Sequence, residues 1–397
     1  MLYITFIFDR IGIESANIRS LHIMKNIIFL SAWIFCSLTA CKESPKKTAI
    51  TPEQNSLVEY AEVFTVDKQK EYTLINIKNP WDSTKLLQTY VLVDRDKQLP
   101  ANLPKGTIIR TPVQSAVAYS VVHCTSLYEI GKFDILKGIC ESKYIRKAEI
   151  QQKLLENKVQ DLGLASSPDI EKIMELEPEV IFTSPISGQN YGQIEKLRIP
   201  IIEVPDYMES HPLGRAEWIR FYSFFVGNET IADSLFNETK NNYNLIKEKV
   251  ANVQYRPSVF TDTRYQSSWN MPGGKSYLAN MLNDAGGYYV WSDDNSKSFL
   301  PLPFEAVLDK AGEADYWLIK YHASENLTRE SLKKEYSSYA LFKAYKEKHV
   351  YGCNTFFKDY YEDLPTHPDY ILKDFAAIFH PDLFPDYQLK YHNILKD

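Results

Sequence analysis

The stretch Ser167-Pro168-Asp169-Ile170-Glu171-Lys172-Ile173-Met174-Glu175-Leu176-Glu177-Pro178-Glu179-Val180-Ile181-Phe182 decides the fold. Ser167-Pro168-Asp169 opens a helix that runs through Leu176, with the proline near its first turn, where a missing N–H costs nothing. Glu177-Pro178 closes that helix, because proline disfavours helical geometry in the residue before it. Val180-Ile181-Phe182 then follows with no polar alternation, as in a strand covered on both faces. A helix feeding a doubly covered strand is the repeating unit of a parallel α/β sheet.

The same alternation extends outward in both directions. Upstream, residues 117–122 read as an apolar strand, 126–131 as a helix and 135–138 as a short return; downstream, 199–204 is the next strand. From Leu213 to Val250 turn signals thin out, and Trp218, Phe221, Tyr222, Phe225, Ile231, Leu235, Phe236, Tyr243, Ile246 and Val250 recur at helical spacing. Gly227-Asn228 marks a break there, with Asn228 capping the second helix. A second α/β run follows: strand 259–261, helix 275–285 ending at Gly286-Gly287, helix 304–310 and strand 316–319. The expected fold class is therefore α/β, with two α/β lobes (107–210 and 254–397) joined by a long helical linker (211–253) and a ligand cleft between the lobes, facing the strand ends. Residues 55–106 alternate in short segments broken by Asn79-Pro80 and Leu99-Pro100, and read as a β-rich N-terminal element of unassigned role.

The first forty residues are an address. Met24, Lys25 and Asn26 precede an apolar run over 27–38, too short for the roughly 20 residues of a membrane span. Leu38-Thr39-Ala40-Cys41 resembles the bacterial lipobox, which implies lipidation of Cys41 as the mature N-terminus. Residues 1–40 are then a leader, with the signal starting at 24, and 41–54 a polar tether to a membrane lipid anchor.

Composition narrows the function. The 397 residues carry a net charge of -6, which excludes the global basic field that duplex nucleic acid demands. Tyr (27) and Phe (20) outnumber Gly (15), which fits a surface or cleft gripping a large, partly apolar ligand, although core filling also uses aromatics. Cys124, Cys140 and Cys353 remain in the body. Either Cys124 and Cys140 form a bridge with one thiol left over, or all three are small buried thiols. No Cys-x-x-Cys or His-x-x-x-His pair suggests structural zinc, and the 8 His are scattered.

Taken in order, further segments resemble a known family, the class III helical-backbone periplasmic substrate-binding proteins of ferric-siderophore, haem and cobalamin importers. The likeness spans roughly 107–385 and is carried by 120–131 with 135–138, by 167–173 with 176–181, and by Pro212-Leu213-Gly214-Arg215-Ala216-Glu217-Trp218. It continues through Pro272-Gly273-Gly274-Lys275-Ser276, Asp284-Ala285-Gly286-Gly287, Pro303-Phe304-Glu305-Ala306-Val307, and a tail with His367-Pro368-Asp369 and His380-Pro381. The resemblance implies an extracytoplasmic lipoprotein that binds an iron chelate or corrinoid and works with an ABC permease and its ATPase, with neither catalytic residues nor a resident cofactor. It also implies that Glu171 and Glu305, one on each lobe, meet basic residues of the permease, where exposed acids steer docking.

Candidate ligand contacts follow the strand ends: Tyr119 and His123 in the first lobe, Tyr207 and Glu209 before the linker, and Arg264, Tyr265 and Trp269 in the second. Aromatic faces pack on a macrocycle or catecholate, and Arg264 suits a chelate's negative charge. Three other readings compete, one of them a cell-surface lipoprotein that presents ligand to an outer-membrane receptor, since the same anchor serves either leaflet. Bare zinc or manganese capture needs clustered His and carboxylates. A cell-envelope hydrolase could draw on Glu203, Asp206 and Glu209, but there is no Gly-x-Ser-x-Gly elbow, phosphate-binding glycine loop or His-Glu-x-x-His.

Overall fold

A computed structural model describes residues 57–188 and 190–397; the leader, Cys41 and the tether expected at 41–54 lie outside the described residues. Two five-stranded sheets organise the body. The first runs in the order Ile201–Glu203, Val180–Thr183, Ala116–Ala118, Leu136–Ile139, Gln160–Asp161, all parallel. The second runs Tyr288–Tyr289, Ser258–Thr261, Tyr316–Tyr321, Val350–Asn354, Asn393–Ile394, parallel except for the last strand. Val180, Ile181 and Phe182 are each at most 1% exposed, as a strand covered on both faces requires.

Local boundaries differ from the sequence reading at three places, each for a physical reason, while the break expected at Gly227-Asn228 is present. The helix expected at 126–131 is Val121–Glu129, because the short apolar run at its start is ambiguous between buried strand and buried helix. Pro168 lies in a two-residue ribbon, and the helix Ile170–Leu176 starts behind Asp169, whose carboxylate accepts the Lys172 N–H at 3.0 Å. Asn228 stands at the start of Glu229–Lys249 with φ 71° and no side-chain cap; its Nδ2 instead donates to the Ile130 carbonyl at 2.8 Å. Gly227, at φ 83°, supplies the left-handed turn that ends Trp218–Val226.

The linking helix Glu229–Lys249 buries Ala232, Phe236, Thr239, Tyr243 and Ile246, a stripe at spacings of three and four. That stripe meets the helix Pro368–Phe379, and polar ties lock the contact: Thr239 Oγ1 donates to the Thr366 carbonyl at 3.1 Å and the Tyr243 hydroxyl to Asp284 at 2.8 Å. Cys124, Cys140 and Cys353 are free, buried thiols.

The β-rich N-terminal element is a four-stranded sheet, Phe64–Lys68, Thr73–Lys78, Leu86–Asp94 and Thr107–Thr111. Its fourth strand, expected to open the first lobe, pairs parallel to the third. Tyr90 joins this sheet to the lobe: its hydroxyl donates to the Ile201 carbonyl at 3.0 Å and accepts the Glu203 N–H at 2.7 Å, covering an edge that would otherwise expose unpaired backbone. Two buried carboxylates hold the chain entering the sheet. Glu217, with no exposed surface, accepts the N–H groups of Glu59, Tyr60 and Ala61 at 2.7, 2.7 and 2.9 Å. Glu209, 2% exposed, accepts those of Glu62 and Val63 at 2.9 and 3.0 Å and the Trp218 indole N–H at 3.0 Å.

Glu217→Ala strands three backbone donors and removes the buried carboxylate that bonds Arg220 at 2.8 Å, leaving that guanidinium with Asp233 and Glu59. Removing one partner of such a buried charged network costs about 3–5 kcal/mol. The expected outcome is a correspondingly lower denaturant midpoint and early proteolytic release of the N-terminal sheet; an unchanged midpoint would remove the clamp from this account.

Candidate functional site

The segments leaving the carboxyl ends of the two sheets meet. Arg146 and Lys147, beyond the first-lobe strand Leu136–Ile139, donate backbone N–H groups to Glu362 at 2.8 and 3.3 Å. The Arg146 guanidinium reaches Asp359 at 2.7 Å and also the Phe356 carbonyl. The Tyr144 ring meets His322 edge-on at 6.0 Å, and His322 in turn meets Phe356 at 5.4 Å. Strand ends of both lobes therefore border one junction, the place where open α/β sheets take ligands.

On the first lobe the bordering loop after Thr183 is tied down from three directions. His123 is fully buried in its helix, with Nδ1 2.7 Å from the Tyr222 hydroxyl and Nε2 3.3 Å from Ser184 Oγ. Burial pushes its pKa down to about 3, so the ring is neutral and one nitrogen donates while the other accepts. The Tyr207 hydroxyl donates to the Pro185 carbonyl at 2.5 Å, and the Tyr191 hydroxyl to Glu203 at 2.8 Å. Burial raises the Tyr191 and Tyr207 phenols and the Glu203 carboxyl. Tyr119, just past the central strand, is 6% exposed. The structure thus brings His123 and Tyr207 together as supports of one loop. Glu209 stands apart from them in the clamp on the N-terminal sheet, where burial raises its pKa despite the N–H groups it accepts.

On the second lobe Arg264 and Tyr265 occupy the loop after Thr261. The Arg264 guanidinium donates to the Gln266 carbonyl at 2.9 and 2.6 Å and lies 4.2 Å from the Tyr336 ring centre. Tyr265 is 44% exposed. Trp269 is fully buried, donates to the Thr261 carbonyl at 3.0 Å and packs against Phe260, Trp317, Tyr339 and Phe342, so in this structure it is core rather than surface. Residues that sequence reasoning missed also border the junction: Tyr144, Arg146, Lys320, His322, Phe356 and Tyr361. Phe356 and the adjacent Phe357 are 41% and 46% exposed. The one signal for them was position, since Lys320 ends an apolar strand and Phe356-Phe357 follow another.

Glu171 and Glu305 occupy equivalent places, each the second residue of a helix (Ile170–Leu176 and Phe304–Ala311), and both are exposed. Among the described residues no group of three or more His, Cys, Asp or Glu is placed to hold a metal ion, and no helix is long and apolar enough to cross a membrane.

This two-lobed architecture defines a class of ligand-capturing proteins. Residues 117–355, more than half of the chain, match the family described as periplasmic binding protein, and the chain belongs to it. An uncharacterized lipoprotein of Methanocaldococcus jannaschii is 26% identical over 334 residues, 78% of this chain and 78% of that protein. Among solved structures, a periplasmic binding protein from Veillonella parvula aligns with TM-score 0.57 and 14% identity over 80% of this chain and 98% of that one. A periplasmic heme binding protein from Pseudomonas aeruginosa aligns with TM-score 0.55 and 14% identity, covering 72% of this chain and 99% of that one. Members of the family are periplasmic solute-binding proteins, and the solved heme-binding protein above and a periplasmic vitamin B12 binding protein of Vibrio cholerae (TM-score 0.50, 14% identity) share the fold seen here.

Two measurements check the site's supports. Trp269→Ala should lower stability by about 3–5 kcal/mol, the cost of emptying an aromatic core position, whereas Tyr265→Ala should leave the melting temperature unchanged. Equal effects on melting would contradict this placement. At the lobe junction the His367 imidazole and the Lys147 ammonium hold Glu129 down to about 2, against an ordinary value of 4.5. Because the folded value is depressed, the contribution is complete above about pH 4.5 and lost as pH falls toward about 2. Glu129→Gln should flatten the fall in stability across that window in acid titrations followed by circular dichroism.

Proposed function

We propose that this chain is the substrate-binding lipoprotein of an ABC importer, that it encloses an iron chelate (ferric siderophore or haem) or cobalamin between its lobes, and that it hands the cargo to a membrane permease without chemistry. The observation that carries this reading is the meeting of the strand-end segments of one parallel and one mostly parallel sheet, on a family fold whose lobes are joined by one continuous helix. A helix of 21 residues resists the bending that strand linkers allow, so capture needs only modest lobe motion. Exposed tyrosine and phenylalanine at the junction suit the faces of a macrocycle or catecholate. Glu171 and Glu305 have no ion-pair partner within 4 Å among the described residues, which leaves both free to meet permease cations. Lipidated Cys41 and the polar residues after it would tether the body to a membrane.

The test is a tryptophan-fluorescence titration of the full-length protein in detergent against haemin, cyanocobalamin, ferric siderophores and zinc. Saturable quenching by one chelate below about micromolar concentration, about -8 kcal/mol, is expected; a response to zinc alone would favour bare-metal capture instead. Glu171→Lys combined with Glu305→Lys should abolish uptake in cells and leave chelate affinity within about twofold, because such charges act on docking. A large loss of affinity would reassign both residues to the ligand site.

A further inference from the structure

Lys320 is the penultimate residue of Tyr316–Tyr321, the central strand of the second lobe's sheet, and its side chain is half-buried. The Nζ lies 5.4 Å from the Tyr360 ring centre and 5.8 Å from that of Tyr361. Those two tyrosines begin the short helix Tyr360–Asp363, whose Glu362 accepts the backbone N–H groups of Arg146 and Lys147 from the other lobe, and which packs on the first-lobe helix Val121–Glu129. The ammonium therefore sits at the carboxyl end of the central strand, on the border between the lobes.

Several other cations of this lobe have a carboxylate beside them. Lys343 is paired with Asp315 at 2.7 Å, Lys310 with Asp293 at 2.7 Å and Lys390 with Asp363 at 2.6 Å. Arg215, close by at the junction, is paired with Asp206 at 2.8 Å. Among the described residues Lys320 has neither a carboxylate within 4 Å nor a hydrogen-bond acceptor, only the two ring faces. Burial works against its charge, while Tyr361, Tyr360 and the Asp262 carboxylate work for it, and the balance raises its pKa, so the ammonium stays charged. An ammonium has three donors, and ring faces compensate only part of what it loses on leaving water. A half-buried cation with unused donors costs stability unless something else supplies the acceptor.

We infer that Lys320, flanked by Tyr360 and Tyr361, is the anchor for an anionic group of the cargo, a catecholate or carboxylate oxygen, and that the chain is selective for negatively charged chelates over neutral ones. The inference rests on the binding-protein reading above and narrows its ligand class. The oxygen accepts from Nζ while the two phenol rings flank the chelate. Catecholate oxygens of a ferric siderophore and propionate oxygens of haem share this chemistry, and the probes separate them.

The test measures affinities of the full-length protein in detergent for a ferric tris-catecholate and haemin, and for two uncharged controls, a ferric trihydroxamate and cyanocobalamin. At least one anionic probe should bind the unmodified protein more tightly than either control, with an affinity that falls as salt rises. Lys320→Met should weaken that probe about tenfold or more, as expected for losing one charge-assisted hydrogen bond, and Lys320→Arg should restore it to within about threefold. Preference of the unmodified protein for a neutral control, or salt-independent binding of the anion, overturns the inference whatever the variants do. So does unchanged anion affinity in a Lys320→Met protein of native melting temperature. Failure of the unmodified protein to bind any of the four chelates brings down the binding-protein reading itself, and the inference with it.

Discussion

Two carboxylates almost shut off from water, Glu209 and Glu217, satisfy five successive backbone N–H groups over residues 59–63, the run of chain leading into the first strand. Unpaired buried backbone donors are among the most expensive features a fold can carry, so this clamp decides where the N-terminal sheet can sit. Both acids come from the helical region just before the linking helix Glu229–Lys249, and Trp218 and Arg220 of the same region complete their hydrogen bonding. Once the chain is pinned there, Phe64 packs on Trp218 and Phe221 at 4.7 and 5.5 Å, and Tyr90 reaches the lobe's edge strand. The N-terminal sheet, the first lobe and the start of the linker are in this sense one cooperative body.

A second set of constraints shapes the junction. The linking helix is fastened to the second lobe through Thr239 and Tyr243, while Glu362 receives the backbone of residues 146 and 147 from the first. Near the C-terminus, Asp374 repeats the logic of the N-terminal clamp. It accepts the N–H groups of Lys390, Tyr391 and His392 at 2.8, 2.8 and 3.0 Å and the Tyr387 hydroxyl at 2.9 Å, so the final strand can close the second sheet. The result is a pair of lobes whose facing loops are individually braced. A braced site suits capture and release, since little conformational entropy is lost when the ligand is enclosed.

Much of this was legible in the chain. Uninterrupted apolar strands separated by helices bounded by proline and glycine determine a parallel α/β body, because doubly covered strands and their crossovers leave few alternatives. The spacing from Leu213 to Val250 marks the long helical segment for the same reason: a stripe at 3.6-residue period has no use in a strand. The order of short motifs along the chain points to the family, and the lipobox-like Cys41 points to an anchored protein.

What the sequence could not separate was the job of each polar or aromatic side chain near a strand end. Glu209 and Glu203 are both acids after or within a strand, yet one clamps distant backbone and the other pairs with Tyr191. Trp269 and Tyr265 are aromatics four residues apart, one fully buried and the other 44% exposed. Nothing local to Lys320 marks it, because Tyr360 and Tyr361, whose rings flank its ammonium, lie forty residues further along the chain. Periodicity is a local property that one element's backbone geometry imposes, so the sequence by itself determined the elements, their order and the family. Burial, pairing and the choice of partner depend on contacts between residues far apart in the chain. The tertiary structure alone decided them, because a charge or a ring takes its role from whatever packing leaves beside it.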